Sequence, residues 1–134
     1  MHQRTVSGLL IALLALSIAL LQFLATTFFL YWVWWWFDIV MHFLGGVFIG
    51  SSMLWLIRYE VPVSIRHRIP IFLTTFLGVL AVGVLWEVFE YVTGLYAAVN
   101  YTLDTTLDLA MDIVGMLLAY LVLNRLFFQS DTKK

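Results

Sequence analysis

The sequence contains no cysteine and few charged residues, and both shortages narrow what the protein can be. Without cysteine there is no disulfide, no thiolate metal site, no iron–sulfur cluster and no cysteine nucleophile. Charged residues make up 11% of the 134 residues, whereas soluble domains carry about 25%. The shortage of charge excludes an ordinary soluble domain. The lack of a basic excess argues against a disordered chain or a nucleic-acid-binding protein.

Long apolar stretches dominate what is present. Hydrophobic residues account for 63% of the chain, and the mean hydropathy is +1.00. Because a membrane-spanning helix needs about 20 mainly apolar residues, the uncharged stretches predict four spans, near 6–28, 36–57, 70–95 and 104–126. We therefore expect an all-α integral membrane protein, a four-transmembrane-helix bundle that forms one domain over residues 1–134. The first apolar run is too long for a signal peptide, so we expect it to be retained.

The basic residues predict the orientation of the bundle. With four spans, all of them fall on one side of the membrane: Arg4, Arg58, Arg66, Arg68, Arg125, Lys133 and Lys134. Loops rich in lysine and arginine stay in the cytoplasm, so both termini are expected in the cytoplasm of a bacterial or archaeal inner membrane. Glu60 and Asp131 are expected to be solvated on that side. The aromatic segment 31–37 is expected to form an interfacial belt at the opposite surface.

Six of the eight acidic residues fall inside the spans, near the end opposite to the basic side. Spacings of three and four residues place them on single helix faces. With one histidine they form the candidate site: Asp38, His42, Glu87, Glu90, Asp104, Asp108 and Asp112. Glycines continue the same faces, including the pattern Gly46-x-x-x-Gly50, and small residues allow close helix contact in membranes. We therefore expect these faces to meet inside the bundle, with the first span as a packing helix.

The cost of burying these carboxyl groups argues against a merely structural cluster. An acidic side chain at mid-span costs roughly 2.5–3.5 kcal/mol, so several of them approach the net stability of a typical fold, about 5–15 kcal/mol. The sequence has no lysine or arginine at that depth. The carboxyl groups must therefore be partly protonated, hydrated in a cavity or bound to metal. For Asp104 an alternative is helix capping, a role that Thr105 and Thr106 would also suit.

Three segments carry a resemblance to a known family: FDIVMHFLGG, LWEVFEY and LDTTLDLAMDIVG. They resemble the signature segments of YjdF-like bacterial inner-membrane proteins and, more distantly, VanZ-like membrane proteins. The resemblance spans residues 37–118 and implies an uncharacterised membrane family. It marks the following residues as family positions: Asp38, His42, Phe43, Gly46, Glu87, Glu90, Asp104, Thr105, Asp108 and Gly115. Asp112 is an addition to that pattern.

Three hypotheses for function remain open at this point. In the first, the carboxylates and the imidazole bind one or two divalent metals (Zn, Mn, Mg or Fe), and Glu87 or Glu90 acts as a catalytic base on a lipid-linked or phosphate-bearing envelope substrate. In the second, the protein carries protons or cations, alone or as a homo-oligomer. In the third, it is a metal-stabilised scaffold without activity. The expected partners are the lipid bilayer and such a substrate, not nucleic acid.

Overall fold

The computed structural model describes residues 2–94 and 100–127, and within them every regular element is a helix. In chain order these are α1 His2–Thr27, α2 Leu30–Val33, α3 Phe37–Tyr59, α4 Val63–Arg66, α5 Ile71–Thr93 and α6 Tyr101–Phe127. Of these described helices, α1, α3, α5 and α6 are long and apolar enough to span a membrane. The predicted all-α, four-span architecture is confirmed. Residue 95, the predicted end of the third span, lies outside the described residues, as do Asp131, Lys133 and Lys134.

The junction between the first two spans contains more structure than a simple turn. The chain leaves α1 through Phe29, whose φ of 55° lies in the left-handed region that non-glycine residues seldom adopt. The one-turn helix α2 follows, and Trp34 is extended. The rings of Trp34 and Trp36 then stack with centroids 5.5 Å apart. Most of the aromatic segment is exposed, as an interfacial belt requires.

Glycine sets the packing of α3 on α6, which is the closest helix pair in the bundle. A Cβ on Gly46 would overlap the backbone carbonyl of Asp112, and a Cβ on Gly115 would overlap that of Phe43. Gly50 lies against Met116 in the same seam, where a Cβ would be 3.2 Å from the Cα of Met116. The predicted glycine face is therefore confirmed. Its consequence is that the two backbones touch directly, beside the acidic residues of both helices.

Helix α1 lies at the edge of the bundle, where it packs on α3 and α2. Near its start, Arg4 forms an ion pair with Glu60 and lies over the ring of Trp55, at 5.4 Å from the ring centroid. The indole of Trp55 donates a hydrogen bond to the backbone carbonyl of Arg4 (3.3 Å). Glu60 is exposed, as expected of a solvated residue, and it also pairs with Arg4, which comes within reach when α1 packs on α3. Most other side chains of α1 are exposed, as lipid-facing residues are.

We expect Gly46→Ala to destabilise the protein and Gly45→Ala to leave its stability nearly unchanged. A methyl group at residue 46 has to displace the backbone of Asp112, whereas at residue 45 its nearest atom would be an Asp112 side-chain oxygen at 3.7 Å. Overpacking of this kind costs about 1–3 kcal/mol. Thermal unfolding in detergent measures the difference. Equal melting temperatures for the two variants would contradict the direct backbone contact.

Candidate metal centre

The candidate site residues come from three helices and lie together at one end of the bundle. Asp38 and His42 occupy the first two turns of α3, and Glu87 and Glu90 lie in the last two turns of α5. The remaining three, Asp104, Asp108 and Asp112, follow one another along α6. Five of the seven are buried, most completely Asp108 at 1% exposure, while Asp38 and Asp104 are half-buried. The expectation that these faces meet inside the bundle is thus confirmed for all three helices.

The start of α6 shows whether Asp104 caps the helix. The helix begins at Tyr101, and the side-chain oxygen of Asn100 accepts a hydrogen bond from the backbone N–H of Leu103 (3.3 Å). Asn100 is therefore the N-cap. Neither Asp104, Thr105 nor Thr106 caps the helix, so the capping alternatives were wrong. The helix starts earlier than its apolar stretch indicated, which leaves Asp104 on the inner face with the other acids.

The imidazole of His42 lies between carboxylates on both sides of its ring. Its Nε2 is 3.8 Å from Asp38 Oδ1 and 3.7 Å from Glu87 Oε1, and its Nδ1 is 3.5 Å from Asp112 Oδ2. All three distances exceed those of ordinary hydrogen bonds, about 2.7–3.2 Å, and the contact of Nδ1 with Asp112 is the shortest. A carboxylate on one ring nitrogen with a gap at the other is how metal-binding histidines are commonly oriented. Asp112 thus suits a positioning role, and Nε2 is the nitrogen that faces the other acids.

The cluster contains three overlapping groups of ligand atoms. Within each group the candidate atoms lie within 4.8 Å of one another. The groups are Asp38/His42/Glu90, His42/Glu87/Asp108 and Asp38/Asp104/Asp108. Since metal–ligand distances are about 2.0–2.6 Å, separations of this size place the three atoms of a group close to the spacing that one shared ion requires. Six of the seven predicted metal ligands belong to at least one group, and Asp112 belongs to none of them.

Three carboxylate oxygens in the cluster are buried without a hydrogen-bond partner. They are Glu87 Oε1, Glu90 Oε1 and Asp108 Oδ2. Leaving a buried polar atom unsatisfied costs about 1–3 kcal/mol, and more when it is charged. Within residues 2–94 and 100–127, the recorded ion pairs of the cluster are all with His42. An excess of buried negative groups with free lone pairs is the electrostatic condition under which a cation is bound.

Two residues that position Glu87 were not recognised from the sequence. Thr105 donates a hydrogen bond to Glu87 Oε2 (2.7 Å), and the hydroxyl of Tyr101 donates to the backbone carbonyl of Glu87 (2.7 Å). The signal was the helical spacing of residues 101, 105, 108 and 112, which puts both hydroxyls on the acidic face of α6. The bond from Thr105 holds Oε2 of the Glu87 carboxylate, and Oε1 is the oxygen that lies near His42 Nε2.

Comparison with known proteins supports the membrane assignment. Residues 2–128 match the family described as Predicted membrane protein (DUF2238). The chain belongs to this family. No curated protein and no solved structure matches this DUF2238 member. The family description names a membrane protein and no reaction or ligand, so the candidate centre is the source of any functional argument.

We expect Thr105→Val to destabilise this DUF2238 member by about 1–3 kcal/mol, because it removes the hydrogen bond to a buried carboxyl group. Thr106→Val is the matched control, since Thr106 is exposed and its hydroxyl bonds to the backbone carbonyl of Thr102. We expect the control to change the free energy of unfolding by less than about 0.5 kcal/mol. Denaturation of both variants in the same detergent measures the difference. A Thr106 effect as large as that of Thr105 would refute the role given to Thr105.

Proposed function

We propose that this protein is a metal-dependent membrane enzyme that binds one or two divalent cations and acts on a phosphate-bearing or lipid-linked substrate. One observation carries the proposal. Three buried carboxylate oxygens without partners, on Glu87, Glu90 and Asp108, converge with His42 at one end of the bundle. A cation held by His42, Glu87 and Asp108 would give two of these carboxylates a partner and offset part of their charge, while Glu90 keeps its free oxygen. Oxygen ligands with a single imidazole suit Mg²⁺, Mn²⁺, Zn²⁺ or Fe²⁺.

The three ligand groups have residues in common, and this limits which groups could hold an ion at the same time. Because Nδ1 of His42 faces Asp112, Nε2 serves one ion at a time. We assign the first ion to His42, Glu87 and Asp108, and the second to Asp38, Asp104 and Asp108. Asp108 would then be a ligand in both groups, which agrees with its place as the most buried carboxylate of the cluster. Two adjacent cations supply positive charge that can hold a phosphate group.

This assignment separates the roles of the two glutamates. Glu87 is held by Thr105 and serves as a ligand. Glu90 is left over, keeps one oxygen without a hydrogen bond, and lines a cavity that also touches Asp38 and His42. A free carboxylate beside a bound substrate can act as a general base. We therefore propose Glu90 rather than Glu87 as the catalytic base.

The described core gives less support to a cation or proton carrier. Beyond the cluster, towards the other end of the bundle, Leu54, Val79 and Met116 are almost fully buried. Polar side chains that mark ion pathways usually continue through the span. Here the buried side chains of α3, α5 and α6 beyond the cluster are apolar except for the hydroxyls of Ser51 and Thr75, and none of those in the described residues is charged. A protein that binds its substrate from one side of the membrane fits this arrangement better.

The orientation that we propose places the cluster at the extracytoplasmic side. Arg4 reaches Glu60, and Arg66 donates a hydrogen bond to the backbone carbonyl of Arg58, so these basic residues meet at the opposite end of the bundle from the acids. Basic ends stay in the cytoplasm. We accordingly propose a bacterial or archaeal cytoplasmic membrane, and propose that the acidic motifs are those of YjdF-like and, more distantly, VanZ-like proteins.

Cysteine labelling tests the orientation, since the chain has no native cysteine. We expect Thr102→Cys, at the exposed start of α6, to react with a membrane-impermeant maleimide in intact cells. We expect Ser64→Cys, in the exposed helix α4, to react only after the cells are permeabilised. The reverse pattern would place the acidic cluster in the cytoplasm.

Metal content tests the proposal directly. We expect wild-type protein, loaded in turn with Zn²⁺, Mn²⁺, Mg²⁺ and Fe²⁺, to retain one or two equivalents of one of them by elemental analysis. Asp108→Asn should reduce the affinity at least about tenfold, because it alters a shared ligand. Glu60→Gln is the matched control, since it neutralises a carboxylate at the other end of the bundle and should leave the metal content unchanged.

Circular dichroism and gel filtration show whether Asp108→Asn remains folded. A folded Asp108→Asn protein with full metal occupancy would contradict the proposal. Wild-type protein that retains none of the four metals would contradict it as well. Metal binding without hydrolysis of any phosphate ester supplied in lipid would instead indicate a metal-stabilised scaffold.

A further inference from the structure

A cavity of about 370 Å³ lies between α1, α3 and α5, beside the acidic cluster. Its volume falls in the range of small-molecule sites, about 300–1,000 Å³. Helix α1 contributes one wall with Ala15, Ile18 and Ala19, and α5 contributes the opposite wall with Val79 and Val82. Most of the lining is apolar, so the cavity is suited to a hydrocarbon group along most of its length.

The two ends of the cavity differ in polarity. Asp38, His42 and Glu90 line one end, and Phe48 and Ile49 line the other. The distance from Asp38 to Ile49 along α3 is about 16 Å at a rise of 1.5 Å per residue. The hydrocarbon core of a bilayer is about 30 Å thick, so the cavity extends through about one leaflet. Its polar end lies at the membrane surface and its apolar end near the middle of the bilayer.

The position of α1 gives the cavity a route to the lipid phase. Within the described residues α1 packs on α3 and α2 and makes no extensive contact with α5. Flanking side chains on both helices face outward, with Leu16 66% exposed on α1 and Leu85 68% exposed on α5. The ion pair of Arg4 with Glu60 holds α1 on α3 at the far end. The gap between α1 and α5 therefore faces the bilayer rather than water.

We propose that this cavity binds the hydrocarbon chain of a single-chain lipid phosphate, which enters between α1 and α5 with its phosphate at the metal centre. This inference rests on the proposed function, because bound cations are what make an anionic headgroup complementary to a cluster of carboxylates. Glu90, which is 95% buried (5% exposed) and has an oxygen without a partner, lies where the headgroup meets the chain. The cavity volume suits one chain rather than two.

The experiment uses the full-length, metal-loaded protein in lipid nanodiscs and an alkyl phosphate that carries a diazirine at the middle of a twelve-carbon chain. We expect the photolabel to attach to residues of the cavity walls, and unlabelled dodecyl phosphate to compete. Ala15→Phe fills the apolar end and should weaken binding at least tenfold, the effect of excluding about two methylene groups. Leu16→Phe is the matched control, since Leu16 points outward, and should bind like wild type.

The outcomes separate this inference from the proposed function. Elemental analysis of each variant reports the metal independently, and Ala15→Phe should keep its full content because it touches no ligand. Equal photolabelling of the metal-loaded Ala15→Phe and Leu16→Phe variants would overturn the cavity as the binding site of the hydrocarbon chain. Competition by dodecyltrimethylammonium as strong as that by dodecyl phosphate would overturn the anionic headgroup. Loss of metal from wild type would refute the proposed function itself.

Discussion

Carboxyl groups buried in hydrocarbon need a positive partner, and the basic residues of this protein lie at the other end of the bundle. Among the described residues, His42 is the one basic side chain at the cluster, and it stands between Asp38, Glu87 and Asp112. The remaining negative groups leave three carboxylate oxygens without a hydrogen bond. This imbalance is the observation on which the proposal of a cation site rests, since unpaired buried charge is among the most expensive features a fold can retain.

The close packing of α3 on α6 brings residues of the acidic cluster together. Gly46 and Gly115 let the backbones of α3 and α6 touch, which brings His42 beside Asp108 and Asp112. Without that approach, Asp108 would stand too far from the imidazole of His42 to share a ligand group with it. The relative positions of the candidate ligands therefore depend on the close contact between α3 and α6. The hydrogen bond from Thr105 then orients Glu87 within it.

Different helices contribute the acidic cluster and the wall of the neighbouring cavity. Helices α3, α5 and α6 supply the acidic residues, while α1 supplies small apolar side chains to the cavity wall. An apolar cavity with acidic residues at one end is the arrangement on which the proposed lipid phosphate site rests. Between this half of the bundle and the basic end, Leu54, Val79 and Met116 are buried together with the hydroxyls of Ser51 and Thr75. Membership of a membrane-protein family is consistent with this arrangement and leaves the reaction to be determined by experiment.

Hydropathy and spacing alone determined the four spans, the shared depth of the acids and the glycine seam, because each depends on the period of one helix. The role of Asp104 could not be determined that way, since the start of α6 depends on the Asn100 cap. Nor could the sequence show that Asp112 faces Nδ1 of His42 while Asp38 and Glu87 lie near Nε2. The partner of Glu60, the support of Glu87 by Thr105 and the cavity behind α1 likewise depend on distances between different helices. Periodicity tells which face of a helix is buried, and only the packed bundle decides which atoms on those faces meet.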